Sequence, residues 1–157
     1  MNDYSLDPNQ PKRSKIHAGF LVGLIAAAIM VVVQLFFLLI FRGTNNGDWI
    51  ALGIQLFVYF FASQAAAQRH YDTNISTNNI EPLAGVRAAG IGAAITTSLI
   101  MWFYIFVRGI VRDALGIQIL IEPISLFFMI VVDVLLAIGL GAWGGTIVVN
   151  RYKIKGY

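Results

Sequence analysis

The 157-residue chain has no cysteine and few charged residues. The missing thiols exclude disulfide bonds, thiolate metal sites and cysteine-based catalysis. Charged residues make up 12% of the chain, about half of the roughly 25% that is usual in soluble domains. The apolar fraction is 58%, and a soluble protein of this size has too little interior to bury that much apolar surface. The composition therefore predicts a membrane protein, and the length predicts a single domain.

The net charge of +3 does not come from a basic patch. Lysine and arginine flank apolar runs and are not interleaved with aromatic residues as on a nucleic-acid-binding surface. Their placement is typical of membrane topology signals. We therefore expect no nucleic-acid partner and take the lipid bilayer as the main surroundings of the chain.

Four apolar stretches are long enough to cross a bilayer, which takes about 20 residues in a helix. They are residues 18–41, 49–68, 88–107 and 123–150, and only the last contains a charge, Asp133. The sequence thus predicts an all-α, polytopic membrane protein with four transmembrane helices paired as two helical hairpins. The first stretch is too long for the core of a signal peptide, about 7–15 residues, so we interpret it as a retained span.

These spans divide the chain into segments. Within the second hairpin, apolar residues between positions 109 and 120 share one helical face, which predicts a short helix lying on the membrane surface. The predicted segments are an N-terminal tail (1–17), a first transmembrane hairpin (18–68), a polar linker (69–83), a second transmembrane hairpin (84–150) and a C-terminal tail (151–157).

Lysine and arginine are unequally divided between the two sides of the spans. Eight lie in the two tails and the connection between the second and third spans, and three lie in the other two connections. Since positive residues are retained on the cytoplasmic side, both tails and the polar linker are predicted to be cytoplasmic. We expect the chain in the plasma (inner) membrane of a prokaryote.

The two hairpins resemble each other. A shift of 66 residues aligns Ala18-Gly19 with Ala84-Gly85 and Arg42-Gly43 with Arg108-Gly109. Shared composition explains part of this match, and a tandem duplication explains the repeated Arg-Gly better. Duplicated two-span units would run in the same direction, as a parallel repeat related by an axis along the membrane normal.

Small residues at four-residue spacing mark helix faces on which backbones can approach closely. Such faces occur on the first, third and fourth spans. On the fourth span, Asp133 is the first residue of this face, four residues before Ala137. They predict packing either within the bundle or against a separate subunit. The predicted packing residues are Gly19, Gly23, Ala88, Gly92, Ala137, Gly141 and Gly145, with a second series on the third span at Gly85, Ala89 and Ala93.

Asp133 is the one charged residue inside a predicted span. A charge at the centre of a transmembrane helix costs ~2.5–3.5 kcal/mol on the insertion scale, so it normally faces protein or water. The helical rise places Asp133 near the midplane, where no lysine or arginine of the chain reaches. Burial favours a neutral carboxyl that is hydrogen-bonded to hydroxyl groups. The polar residues predicted near this depth are Thr96, Thr97, Ser98, Tyr59 and, closer to the outside, Gln55.

Two interpretations of Asp133 follow. In the first it is a structural clasp between helices, within this bundle or to a neighbouring subunit. In the second it binds or relays a proton or a cation, and any counter-charge comes from a partner chain or a bound cation. An ion pathway needs several polar steps through the bilayer, and the sequence offers one carboxylate with a few hydroxyls, which favours the clasp.

The sequence carries no catalytic, cofactor or metal motif. His17 and His70 have no acidic residue or second histidine at ligand spacing on a shared helix, and the serines lack an arranged base. We therefore expect no enzyme activity, no cofactor and no metal site.

These observations favour a non-catalytic membrane protein, either a homo-oligomer or an accessory subunit of a membrane complex. One alternative is a small proton or cation transporter or channel element that uses Asp133. Another is a lipid- or quinone-binding module built on the aromatic outer half of the third span, at Trp102, Phe103, Tyr104 and Phe106.

Overall fold

The structure of the chain is a computed structural model that describes residues 15–40, 46–76, 83–116 and 123–154. These residues form four α-helices and contain no strand. The helices are α1 (Lys15–Ile40), α2 (Asn46–Ser76), α3 (Leu83–Ala114) and α4 (Pro123–Ile154).

Each helix contains a segment that is long and apolar enough to cross a membrane. A helix satisfies every backbone polar group internally, which is what lipid requires of a single spanning segment. The four segments confirm the predicted all-α, four-span architecture. They are Gly19–Phe37, Ile50–Thr73, Ala84–Val111 and Ile124–Tyr152.

The end of α3 differs from the prediction. Residues 109–114 continue α3 and do not belong to a separate surface helix, because the helical backbone hydrogen bonds are uninterrupted up to Ala114. Gly116 has a φ of 73°, the left-handed conformation that commonly terminates helices at a glycine. The rest of the predicted surface helix, residues 117–120, lies outside the described residues.

The polar linker predicted at 69–83 is also partly helical, because α2 continues to Ser76. At the ends of the apolar spans, the Tyr71 ring on α2 stacks on the Tyr152 ring on α4, with centroids 3.6 Å apart and planes inclined by 20°. The Tyr152 hydroxyl donates a hydrogen bond to Asp72 Oδ1 at 3.2 Å. These contacts hold the extended ends of α2 and α4 together.

Two close approaches show that α1 and α3 run parallel. A Cβ placed on Gly19 would lie 2.8 Å from the Ala89 carbonyl oxygen, and one on Gly23 would lie 2.6 Å from the Ala93 carbonyl oxygen. Only glycine allows this separation, because a methyl group would overlap the facing backbone. The predicted Gly19 and Gly23 face therefore packs against α3.

The small-residue face of α4 packs against α3 in the antiparallel sense. A Cβ on Gly141 would lie 2.9 Å from Ile91 Cα, and one on Gly145 would lie 3.0 Å from Arg87 Cα. Ala137 is fully buried. The face headed by Asp133 is therefore occupied by helices of the same chain.

The prediction for α3 was half right. Ala89 and Ala93 are buried against neighbouring helices, and Gly92 lies beside Gly19. Ala88 is exposed, so its predicted packing role is wrong within this chain. The reason is rotational: the second small-residue series on α3, one position further along the chain, faces α1 and leaves Ala88 turned outward.

The helix arrangement lacks the twofold axis expected of paired repeats. Both α2 and α3 contact every other helix, whereas no Cα atom of α1 lies within 8 Å of one in α4. A twofold operation that exchanges the hairpins would map the α2–α3 contact onto an α1–α4 contact. A tandem duplication of the sequence stays a prediction, but the packing of the described helices does not preserve its symmetry.

The close approach of α3 and α4 gives a first prediction. Gly141→Ala introduces a methyl group 2.9 Å from Ile91 Cα, so the two backbones must separate. We expect a loss of about 1–3 kcal/mol in unfolding free energy, as for other overpacked positions. Unfolding by SDS titration in detergent micelles, followed by circular dichroism, measures this loss.

The matched control is Gly139→Ala on the same helix. A Cβ there meets no heavy atom within 4 Å, so the variant should be neutral or slightly more stable through helix propensity. Equal destabilisation of both variants would contradict the described α3–α4 interface.

Candidate functional site

The candidate site is centred on Asp133, about a third of the way along α4. Its side chain is only 7% exposed although no described lysine or arginine contacts it. Two helices face it, and each contributes a pair of residues spaced by four: Gln55 and Tyr59 on α2, Ser98 and Trp102 on α3. Residues four apart share one helix face, so each helix presents both members of its pair toward α4.

All four residues donate hydrogen bonds to the Asp133 carboxylate. Oδ2 accepts from the Tyr59 hydroxyl at 2.7 Å, the Ser98 hydroxyl at 2.7 Å and the Trp102 indole N–H at 3.0 Å. Oδ1 accepts from Gln55 Nε2 at 3.1 Å. The Gln55 amide also donates to the Tyr59 hydroxyl. We call these five residues the Asp133 cluster.

The chemistry of the partners matches the carboxyl group of Asp133. The Trp102 indole N–H and the Gln55 NH2 group can only donate, whereas the Tyr59 and Ser98 hydroxyls can donate or accept. The four partners therefore satisfy both oxygens of the carboxyl group. Because buried polar groups are costly when they lack partners, these hydrogen bonds offset part of the cost of burial.

The described part of the chain leaves no buried side-chain nitrogen or oxygen without a partner. This matters most around Asp133, because an unsatisfied polar group in a low-dielectric interior is costly. Immediately next to the cluster the packing becomes apolar. Tyr59, Ala94 and Ala137 form a buried group, with Leu56 and Leu140 packed against it.

The structure separates the three adjacent residues predicted near Asp133. Only Ser98 reaches the carboxylate. The Thr97 hydroxyl lies 3.1 Å from the Gly23 carbonyl oxygen and 2.9 Å from that of Ala93, at the α1–α3 interface. The Thr96 side chain lies against Gly23 in the same interface. Successive residues of a helix point about 100° apart, so three neighbours cannot all face α4.

Trp102 is the member of the cluster that the sequence did not assign to Asp133. By sequence, Trp102 belongs to the aromatic residues of the possible lipid- or quinone-binding module, but its indole N–H points into the bundle. Its position four residues after Ser98 was the available signal. Phe103 and Phe106 are exposed, so the predicted aromatic group is divided between the interior and the outer surface.

The Asp133 cluster is well suited to hold helices together and poorly suited to hold a metal ion. Its only carboxylate is saturated by donors, and the described residues include no group of three His, Asp or Glu side chains that could coordinate a metal. Ser63, the other fully buried serine, directs its hydroxyl to the Phe60 carbonyl oxygen at 2.7 Å. The described geometry therefore offers a link between α2, α3 and α4.

No protein-family model, characterised protein or solved structure matches this chain in the comparisons made. The fold and the Asp133 cluster are therefore the observations on which a function can be argued.

Removing one donor tests the cluster directly. Tyr59→Phe deletes the 2.7 Å hydrogen bond to Oδ2 and keeps the size of the buried ring. We expect a loss of about 1–3 kcal/mol in unfolding free energy, because the buried Asp133 carboxyl group loses a hydrogen-bond partner. Unfolding by SDS titration in micelles measures the change.

Tyr104→Phe is the matched control, since the half-buried Tyr104 hydroxyl does not contact Asp133. It should leave stability unchanged within about 0.5 kcal/mol. If Tyr59→Phe also leaves the unfolding free energy unchanged, the Asp133 cluster does not stabilise the bundle.

Proposed function

We propose that this chain is a non-catalytic, multi-pass membrane protein that acts as a structural or accessory component. It would work as a homo-oligomer or as a subunit of a larger membrane complex. Asp133 serves as an internal clasp that fixes α4 to α2 and α3. The observation that carries the proposal is the set of four hydrogen bonds, all donated to one buried carboxylate from the two facing helices.

The need for such a clasp follows from the packing of α4. Only 17% of its spanning residues are buried, the lowest share among the four spans. Lipid tails are as apolar as its side chains, so apolar contact alone provides little drive for association. A carboxylate whose alternative is exposure to hydrocarbon supplies that drive. The clasp thus compensates for a helix that buries little of its surface.

The outer surface supports an accessory role. Large apolar side chains cover the lipid-facing sides of all four helices, for example Phe36, Phe57, Phe103 and Phe127. The buried polar groups are engaged with one another or with backbone carbonyls. A chain of this kind contributes helices and surface to an assembly, which supports the expectation that it is not an enzyme.

We extend the proposal to location and orientation. The eight lysines and arginines in the tails and the middle connection, against three elsewhere, support cytoplasmic termini in a prokaryotic inner membrane. Because the chain has no cysteine, Ser5→Cys introduces a unique thiol for labelling. Reaction with a membrane-impermeant maleimide in intact cells would contradict this orientation.

The accessory role predicts a stable assembly. Two copies of the full chain carrying different affinity tags are co-expressed, solubilised in a mild detergent and purified through one tag. Native mass spectrometry should then show either both tags in one particle or a second protein at fixed stoichiometry. A particle that contains only one copy of the chain, at every detergent tested, would refute the proposal.

Proton or cation handling by Asp133 is the competing function. The same carboxylate supports it, but the apolar layer of Leu56, Ala94, Ala137 and Leu140 adjoins the cluster and provides no next step for an ion. The clasp predicts that proteoliposomes show no proton or cation flux above empty liposomes, for the wild type and for Asp133→Asn alike. The variant should instead be less stable, because Asn has one acceptor oxygen in place of two and its NH2 group cannot accept the hydrogen bonds that the replaced oxygen accepted.

Asp72→Asn, which alters a carboxylate at the end of α2, is the control for that experiment. A wild-type flux that survives Asp72→Asn but disappears in Asp133→Asn would replace the clasp with ion handling.

A further inference from the structure

Three arginines lie at one end of the bundle, each on a different helix. Arg69 is on α2, Arg87 on α3 and Arg151 on α4, and all three are exposed. We call them the basic collar. They share this end because α2 and α4 run parallel and α3 runs antiparallel to α4. The Asp133 cluster does not involve them.

The collar occupies a narrow band along the bundle. Arg69 precedes Tyr71 by two residues and Arg151 precedes Tyr152 by one, and the two tyrosine rings are stacked. Arg87 on α3 lies beside Gly145 on α4. Gly145 precedes Arg151 by six residues. With a rise of about 1.5 Å per residue, the three Cα atoms span about 9 Å in depth. A lipid headgroup layer is of comparable thickness.

The guanidinium groups of the collar have no acidic partner among the described residues. The one described carboxylate nearby, Asp72, accepts a hydrogen bond from the Tyr152 hydroxyl. Arg87 starts inside the apolar segment Ala84–Val111, so its side chain must extend toward the interface to place its charge in a polar layer. Among the described residues, the collar therefore presents three cations without an ion pair near one end of the apolar spans.

We infer that the basic collar binds the headgroups of anionic phospholipids. Guanidinium groups match phosphate oxygens in a bidentate manner, and basic sites between transmembrane helices favour anionic headgroups. The sequence adds positive charge next to this end, because Lys15 begins α1 and Lys153 lies in the last turn of α4. Lys12, Arg13 and Lys155 adjoin these helix ends in the sequence.

The test uses the full chain in a mild detergent. Phosphatidylglycerol or phosphatidylcholine with identical acyl chains is added, and native mass spectrometry counts the lipids that stay bound. The wild type should retain phosphatidylglycerol in preference to phosphatidylcholine. Each Arg→Gln replacement in the collar should reduce that preference about fivefold, the equivalent of the attraction of one basic residue near an anionic surface.

Three variants make the experiment decisive. The triple variant Arg69→Gln, Arg87→Gln, Arg151→Gln should lose most of the phosphatidylglycerol preference and keep only the part that the lysines and arginines of the tails contribute. The triple Arg→Lys variant, which keeps the charge but loses the bidentate geometry, should fall between it and the wild type. Arg108→Gln, at the opposite end of α3, should behave as the wild type.

Two outcomes would overturn the inference. One is a wild type that retains both lipids equally. The other is a phosphatidylglycerol preference that is undiminished in the triple Gln variant, or that falls as much in Arg108→Gln. A role limited to setting membrane topology would leave lipid retention in detergent the same in all variants. If the triple Gln variant does not fold, the three single variants and the triple Lys variant give the same comparison.

Discussion

A single carboxylate in the membrane interior constrains the rest of this bundle. Asp133 cannot face lipid without a cost of ~2.5–3.5 kcal/mol, and no described cation neutralises it. Its carboxyl group is hydrogen-bonded to residues of two separate helices, so α2, α3 and α4 must meet at one depth and in one rotational setting. The glycines of α4 then become necessary, since Gly141 and Gly145 permit the backbone separation at which short side chains such as Ser98 reach the carboxylate.

The same constraint explains why α1 differs from the other helices. It contributes nothing to the Asp133 cluster and does not touch α4. Its closest backbone contacts are with α3, through Gly19 and Gly23 and the hydrogen bond from the Thr97 hydroxyl to the Gly23 carbonyl oxygen, and it also contacts α2. The bundle is therefore a three-helix unit held by a polar cluster, with a fourth helix docked by close backbone contact. This division crosses the hairpins, since α2 belongs to one part and its hairpin partner α1 to the other.

Sequence alone predicted the elements that depend on local composition. Uncharged runs located the four spans, and helical rise placed Tyr59, Ser98 and Gln55 at the depth of Asp133. Depth does not specify how each helix is rotated about its own axis, however. That rotation determines which side chains face Asp133, the other helices or the outer surface. It separated Thr96 and Thr97 from Ser98, turned Ala88 outward, and brought the Trp102 indole inward although tryptophan near a membrane surface usually marks the interface. Helix rotation depends on contacts between distant segments, which a single sequence does not display.

The hydrogen-bonding groups of the Asp133 cluster are satisfied by one another, and this affects where the chain can recognise other molecules. The buried groups that could recognise a ligand are already engaged, so recognition of other molecules falls to the periphery. There the sides of the helices are apolar and without directional chemistry, whereas Arg69, Arg87 and Arg151 lie at one end and form no ion pair with another described residue. The proposals thus assign two tasks to two parts of the chain: the midplane sets the fold, and the basic collar sets the relation of the fold to the lipid around it.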